Sequence, residues 1–154
     1  MKNMKVAFML VGLLVGSSLM AGHAESEKLI ESAKQEVGEM TPKELKKMID
    51  EQKKVMVLDV REENQRAEGE IYAPSTLAIT RGNLEFDVLN KVKDKNAVIV
   101  TYCRGGSRGA LAAQTLKKLG YVNATSLKGG LKGWAQEGYG VETGLGVTLL
   151  TKEQ

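Results

Sequence analysis

The stretch AVIVTYCRGGSRGALAAQTLKKLG, residues 97–120, decides the fold. Its first six residues are apolar, β-branched or aromatic, which suits a strand buried on both faces. Residues 107–119 then carry a helical pattern, with Leu111, Ala112, Thr115, Leu116 and Leu119 on the inward side. Gly120 stands where a helix ends in a C′ glycine. Between strand and helix lies a loop of glycine and arginine that begins with Cys103, the only cysteine in the chain. Strand, tight loop and helix in direct succession are the unit of an α/β sheet, in which ligands bind outside the carboxyl ends of the strands. Cys103 stands at such an end. Four roles are open to it: core spacer, redox thiol, metal ligand or nucleophile.

Working outward, VMVLDV (55–60) and the shorter ATSLK (124–128) also read as buried parallel strands, and residues 62–68 and 84–91 as helical. Strands alternating with helices predict a mainly parallel sheet flanked by helices on both faces. Upstream, Thr41 can N-cap a helix, Pro42 fits its first position and Glu44 closes a capping box, with Leu45, Met48 and Ile49 on the buried face. The domain is expected to run from residue 41 to 154. Residues 25–38 form a polar amphipathic pattern with Leu29, Ile30, Ala33 and Val37 on one face, so residues 25–40 are read as a solvated helical connector. No element is assigned to the glycine-spaced tail after Gly138.

Residues 1–24 read as a secretory signal peptide. Lys2 and Lys5 open it, an apolar run from Val6 to Val15 follows, and Gly22-His23-Ala24 fits a small-x-small cleavage site. The alternative is an uncleaved anchor, but the run is short of the roughly 20 apolar residues that span a bilayer. A periplasmic or secreted location is therefore expected, without stable membrane insertion after cleavage. Of the 22 basic residues, two lie in this leader, and all 19 acidic residues follow it, which leaves a formal charge of +1. With no arginine–aromatic stripe, nucleic acid is not expected as a partner. A lone cysteine forms no intramolecular disulfide. The single histidine, His23, lies in the leader. Cys–His dyads, Ser-His-Asp triads and histidine-based zinc sites are thereby excluded from the processed chain, and no metal or organic cofactor is expected.

A cysteine can still be activated without histidine. Gly105 and Gly106 let the backbone curl so that successive N–H groups point inward, the helix start adds its positive dipole end, and Arg104 and Arg108 add fixed charge. All three favour the thiolate, and the same concavity suits an anionic substrate. The competing reading, a small core residue beside a tight turn, is outweighed by this setting.

Three segments carry a resemblance: VLDVREENQRAEGEI (57–71), YCRGGSR (102–108) and SLKGGLKGW (126–134). In order and spacing they resemble a single-domain rhodanese, a sulfurtransferase, over about residues 41–140. The resemblance implies a rhodanese-like α/β fold and a persulfide on Cys103. The loop residues Arg104, Gly105, Gly106, Ser107 and Arg108 would cradle it, and Arg81 would be a further substrate-binding residue. Asp59 and Arg61 match an Asp-x-Arg whose expected role is a structural ion pair. Gly129, Gly130 and Trp134 match a closing motif expected to turn and pack. Two departures stand out. GEIYAPS (69–75) places Glu70 and Tyr72 where the family usually has histidine and proline, so the local path there is expected to change. Gly109 stands where a serine is common, which removes one hydrogen bond at the loop end.

The family also implies the chemistry. Cys103 would take sulfane sulfur from a small anionic donor such as thiosulfate and yield it to cyanide, a thiol or a protein acceptor, in ping-pong fashion. A sulfur-carrier or protein-interaction module is the alternative. Related cysteine phosphatases and arsenate reductases need five residues between cysteine and arginine to surround a tetrahedral oxyanion. Here four residues separate Cys103 from Arg108, which suits a single sulfur atom.

Overall fold

The computed structural model describes residues 22–150. The leader expected at residues 1–24 lies outside the described residues except for its last three. The chain divides into two units. In Met1–Ser32, the described residues 22–32 are helical, and Ala33–Gln154 holds the sheet.

The helical run α1 covers residues 22–37, and strand β1, Glu39–Met40, follows it. Helix α2, Pro42–Asp50, starts as its sequence demands. The Thr41 hydroxyl accepts from the Glu44 amide at 3.2 Å, and the Glu44 carboxylate accepts from the Thr41 amide at 2.8 Å. Then come β2 (Met56–Asp59), a 3₁₀ helix (Glu63–Glu68), β3 (Thr76–Ala78), a 3₁₀ turn (Arg81–Asn83) and α3 (Leu84–Lys91). Strand β4 (Ile99–Tyr102), α4 (Ser107–Lys118), β5 (Ala124–Leu127), α5 (Gly130–Gln136) and the hairpin β6 (Val141–Thr143) and β7 (Gly146–Thr148) complete the chain.

Five strands form one parallel sheet in the order β1-β5-β4-β2-β3, as the alternation of strands and helices predicts. Side chains alternate across it. Leu58, Val60 and Ile99 face α3 and α4, where they meet Leu84, Val88, Ala112 and Leu116. Val57, Val100 and Tyr102 face α2 and α5, where they meet Leu45, Leu131 and Trp134. The helices thus cover both faces. Helix α4 closes with the Gly120 amide on the Lys117 carbonyl and the Tyr121 amide on the Leu116 carbonyl, the double bond of a glycine C-cap.

Part of the stretch read as connector belongs to the domain's packing. Ala33 and Val37 are buried, and Glu39 and Met40 pair with Ser126 and Leu127 of β5. The β6–β7 hairpin, whose strands are three residues each, is marked by no sequence pattern. It anchors the altered GEIYAPS stretch, because Glu70 and Glu142 exchange backbone hydrogen bonds of 2.8 Å. Ile71 behind it is buried, whereas Tyr72 is exposed.

Candidate active site

Strand β4 is the central strand, so the loop after it sits in the middle of the sheet's carboxyl edge. Cys103 is 2% exposed and faces the α3–α4 side. Its Sγ accepts a hydrogen bond from the Gly106 amide at 3.2 Å. The Gly106 carbonyl in turn accepts from Ala110 within α4 at 2.9 Å.

What shapes the loop lies outside it. The first amides of α5 take its carbonyls: Leu131 N–H donates to Cys103 O at 2.8 Å, and Lys132 N–H to Arg104 O at 2.9 Å. In a planar trans peptide the C=O and the following N–H point opposite ways. Holding the carbonyls of residues 103 and 104 toward α5 therefore turns the amides of Arg104 and Gly105 away from it. Gly130 makes this approach possible. It has φ +58°, and a Cβ there would stand 2.3 Å from Cys103 O, 2.8 Å from Gly106 N and 2.9 Å from Arg104 O. The motif expected only to turn and pack also holds the Cys103 loop. Trp134 does pack as expected, with its Nε1–H on Gly140 O at 2.9 Å and its ring edge-on to Tyr139.

Gly109 is explained in the same way. A Cβ there would lie 3.2 Å from Thr101 O and 3.3 Å from Tyr102 Cα, so α4 starts tight against β4. At this loop end the Thr101 hydroxyl donates to Gly109 O at 2.7 Å.

Asp59 and Arg61 form a buried pair beneath the site. Arg61 is 0% exposed, and its Nη2 lies 2.6 Å from Asp59 Oδ2 with Nε at 3.0 and 3.1 Å from the two carboxylate oxygens. Its remaining donors reach Gln65 O and Gly69 O, which pins the 3₁₀ segment. Burial works against the Arg61 charge, yet the hydrogen bonds and charge of Asp59 outweigh it and raise the guanidinium's pKa. The Tyr102 hydroxyl also donates to Asp59 Oδ2, at 2.9 Å, and accepts from the Ile71 amide. Burial, reinforced by the Asp59 charge, pushes the Tyr102 phenol well above its ordinary value. Tyr102 directly precedes Cys103, so this network fixes the end of the strand that leads into the Cys103 loop. The Asp-x-Arg pair was legible in the sequence, whereas Tyr102 as its third member was not.

The loop residues expected around the sulfur are together. Gly105 is exposed, Gly106 is buried and Ser107 opens α4. Arg104 and Arg108 stand at the rim, each engaged by the segment after β2. Arg104 Nε lies 3.5 Å from Glu68 Oε1, Arg108 Nη2 donates to Gln65 Oε1 at 2.8 Å, and Arg108 Nη1 lies 3.9 Å from Glu62 Oε1. The side chain of Arg81 reaches α3 and α4. Its guanidinium is held by Glu85 and by Thr115 Oγ1 at 2.9 Å. At 1.5 Å per residue, Thr115 is about 12 Å along α4 from Ser107. In this arrangement the Arg81 guanidinium links α3 to α4, because its i+4 glutamate and a threonine lie within its reach.

The chain matches the rhodanese-like domain family over residues 41–137. It is 31% identical over 102 residues to the probable adenylyltransferase/sulfurtransferase MoeZ of Mycobacterium tuberculosis, covering 64% of this chain but only 24% of that protein. It is 29% identical to YtwF of Bacillus subtilis, named as a sulfurtransferase, covering 66% of this chain and 94% of YtwF. Among solved structures, it is similar to the polysulfide-sulfur transferase homodimer of Wolinella succinogenes, with TM-score 0.65, 26% identity and coverage of 75% and 85% of the two chains. With its family match spanning most of the sheet domain and sulfurtransferases among the proteins it is similar to, the chain belongs to the rhodanese-like domain family.

Proposed function

We propose that this protein moves sulfane sulfur from an anionic donor such as thiosulfate to cyanide or a thiol through a persulfide on Cys103. The observation that carries the reading is a backbone donor at the sulfur: Gly106 N–H reaches Sγ at 3.2 Å, and the carbonyls of Cys103 and Arg104 are taken up by α5. Preorganised amides of this kind stabilise charge on a sulfur without reorganisation cost.

In the first step the Cys103 thiolate attacks the outer sulfur of thiosulfate. An S–S bond forms to Cys103, the S–S bond of the donor breaks, and sulfite leaves with the electron pair. In the second step cyanide attacks the terminal sulfur, thiocyanate leaves, and the thiolate is restored. Charge and atoms balance in each half-reaction, and no external oxidant or reductant is needed. In this reading the protein acts outside the cytoplasm after loss of residues 1–24.

The test has two parts. Thiosulfate should add one sulfur, about 32 Da, to Cys103, and cyanide should remove it. Cys103→Ser should neither gain that mass nor form thiocyanate. Thiocyanate formation by Cys103→Ser at the native rate would end the assignment.

A further inference from the structure

The 3₁₀ segment and its N-cap present one row of side chains to the loop. A 3₁₀ helix has three residues per turn, so positions three apart eclipse one another. Glu62, Gln65 and Glu68 are spaced in this way, and all three engage a loop arginine: Glu62 and Gln65 face Arg108, and Glu68 faces Arg104. The row is set from below by Arg61, which binds the carbonyls of Gln65 and Gly69 and lies 3.9 Å from Glu68 Oε2. Arg66 adds a bond from its Nη2 to Arg61 O at 3.1 Å.

We infer that Glu62, Gln65 and Glu68 form a ridge that determines donor specificity, by setting the charge at the mouth of the Cys103 loop against multiply charged donors. This inference rests on the sulfur-transfer reading. Two arginines without carboxylates beside them would make a strongly cationic mouth suited to a dianion. Here each arginine has an acidic neighbour at partly exposed positions, so at the mouth the charges of these two pairs cancel. The class of donor it favours carries a single charge: a thiosulfonate or the persulfide of a small thiol. For the persulfide, the Cys103 thiolate takes the terminal sulfur and the donor leaves as its thiolate, so atoms and charge again balance.

Electrostatic interaction scales with the charge of the donor. Removing the two carboxylates therefore changes the logarithm of kcat/KM twice as much for a dianion as for a monoanion. The test compares Glu62→Gln/Glu68→Gln with the native protein on thiosulfate and on benzenethiosulfonate, with cyanide as acceptor. Benzenethiosulfonate gives the same persulfide and releases benzenesulfinate. Using the change on mutation cancels the different intrinsic reactivities of the two donors. The double variant should raise kcat/KM about fivefold for thiosulfate and about twofold for benzenethiosulfonate at low salt. The gain should reside in KM for the donor and collapse in roughly 0.5 M potassium chloride. Equal changes for both donors, or none, would overturn the ridge while native turnover left the sulfur-transfer reading in place. A native protein that forms no persulfide from either donor would remove that reading, and the ridge with it.

Discussion

Gly130→Ala is the sharpest test of how the loop is held. The added methyl group would start 2.3 Å from Cys103 O, with Gly106 N at 2.8 Å and Arg104 O at 2.9 Å. All three are backbone atoms, so no side chain can rotate away. Relief requires α5 and the loop to separate by roughly 1 Å, which lengthens the bonds from Leu131 and Lys132 to the loop carbonyls. Losing these two bonds costs about 1 kcal/mol each, and alanine at φ +58° adds about 1 kcal/mol of backbone strain. The sum, about 3 kcal/mol, corresponds to a fall in Tm of roughly 10 °C for a domain of this size. A displacement of about 1 Å at a reacting group costs about 100-fold in rate, so thiocyanate formation should fall by that order. Gly138→Ala is the control, because Gly138 has φ +80° and nothing within 4 Å of its would-be Cβ. It isolates the backbone strain and should leave activity intact. The assays are thermal unfolding by circular dichroism and thiocyanate formation from thiosulfate and cyanide. If Gly130→Ala retains activity within about threefold of Gly138→Ala, α5 does not shape the loop and the reasoning fails.

Two further outcomes follow from the buried network. Asp59→Asn keeps the shape but leaves the fully buried Arg61 charge with only the more distant, exposed Glu68 carboxylate opposite it, and should cost about 3 kcal/mol in urea unfolding; a loss below about 1 kcal/mol would mean that the pair does not hold the site. The raised pKa of Tyr102 gives a signed pH effect: its contribution to stability is complete below about pH 10, where the unfolded tyrosine is still neutral, and is lost as pH climbs toward the native value. Urea midpoints measured from pH 9 to 11 should therefore fall less steeply in Tyr102→Phe than in the native protein, and parallel curves would refute the assignment.

Long or strongly marked elements were legible in the sequence. The α4 pattern, the capping box at Thr41–Glu44 and the three central strands follow from periodicity and cap chemistry, which act over a few residues. Strands β1, β3, β6 and β7 are two or three residues long, too short to show a period, and owe their form to pairing with distant partners. The same division holds at the site. Cys103 and its glycines announce themselves within six residues. The arginines do not, because an arginine reaches whichever acceptor tertiary structure brings near it: Arg81 found Thr115, 34 positions away, and Arg108 found Gln65, 43 away. Gly129 and Gly130 were visible as a turn. That the turn faces the Cys103 loop depends on β5 lying beside β4 in the sheet.

The seat of α5 on the Cys103 loop also limits how this sequence can diverge. Two backbones meet there without side chains between them, so neither can change length alone. One extra loop residue would displace a carbonyl that α5 already binds, and a bulkier residue at position 130 would displace the loop. Each change is damaging by itself and tolerable only beside a matching change in a segment more than twenty positions away. Loop size, and with it the size of the group the loop can surround, is therefore inherited jointly with the Gly129–Gly130 turn, and a path to a wider loop passes through both at once.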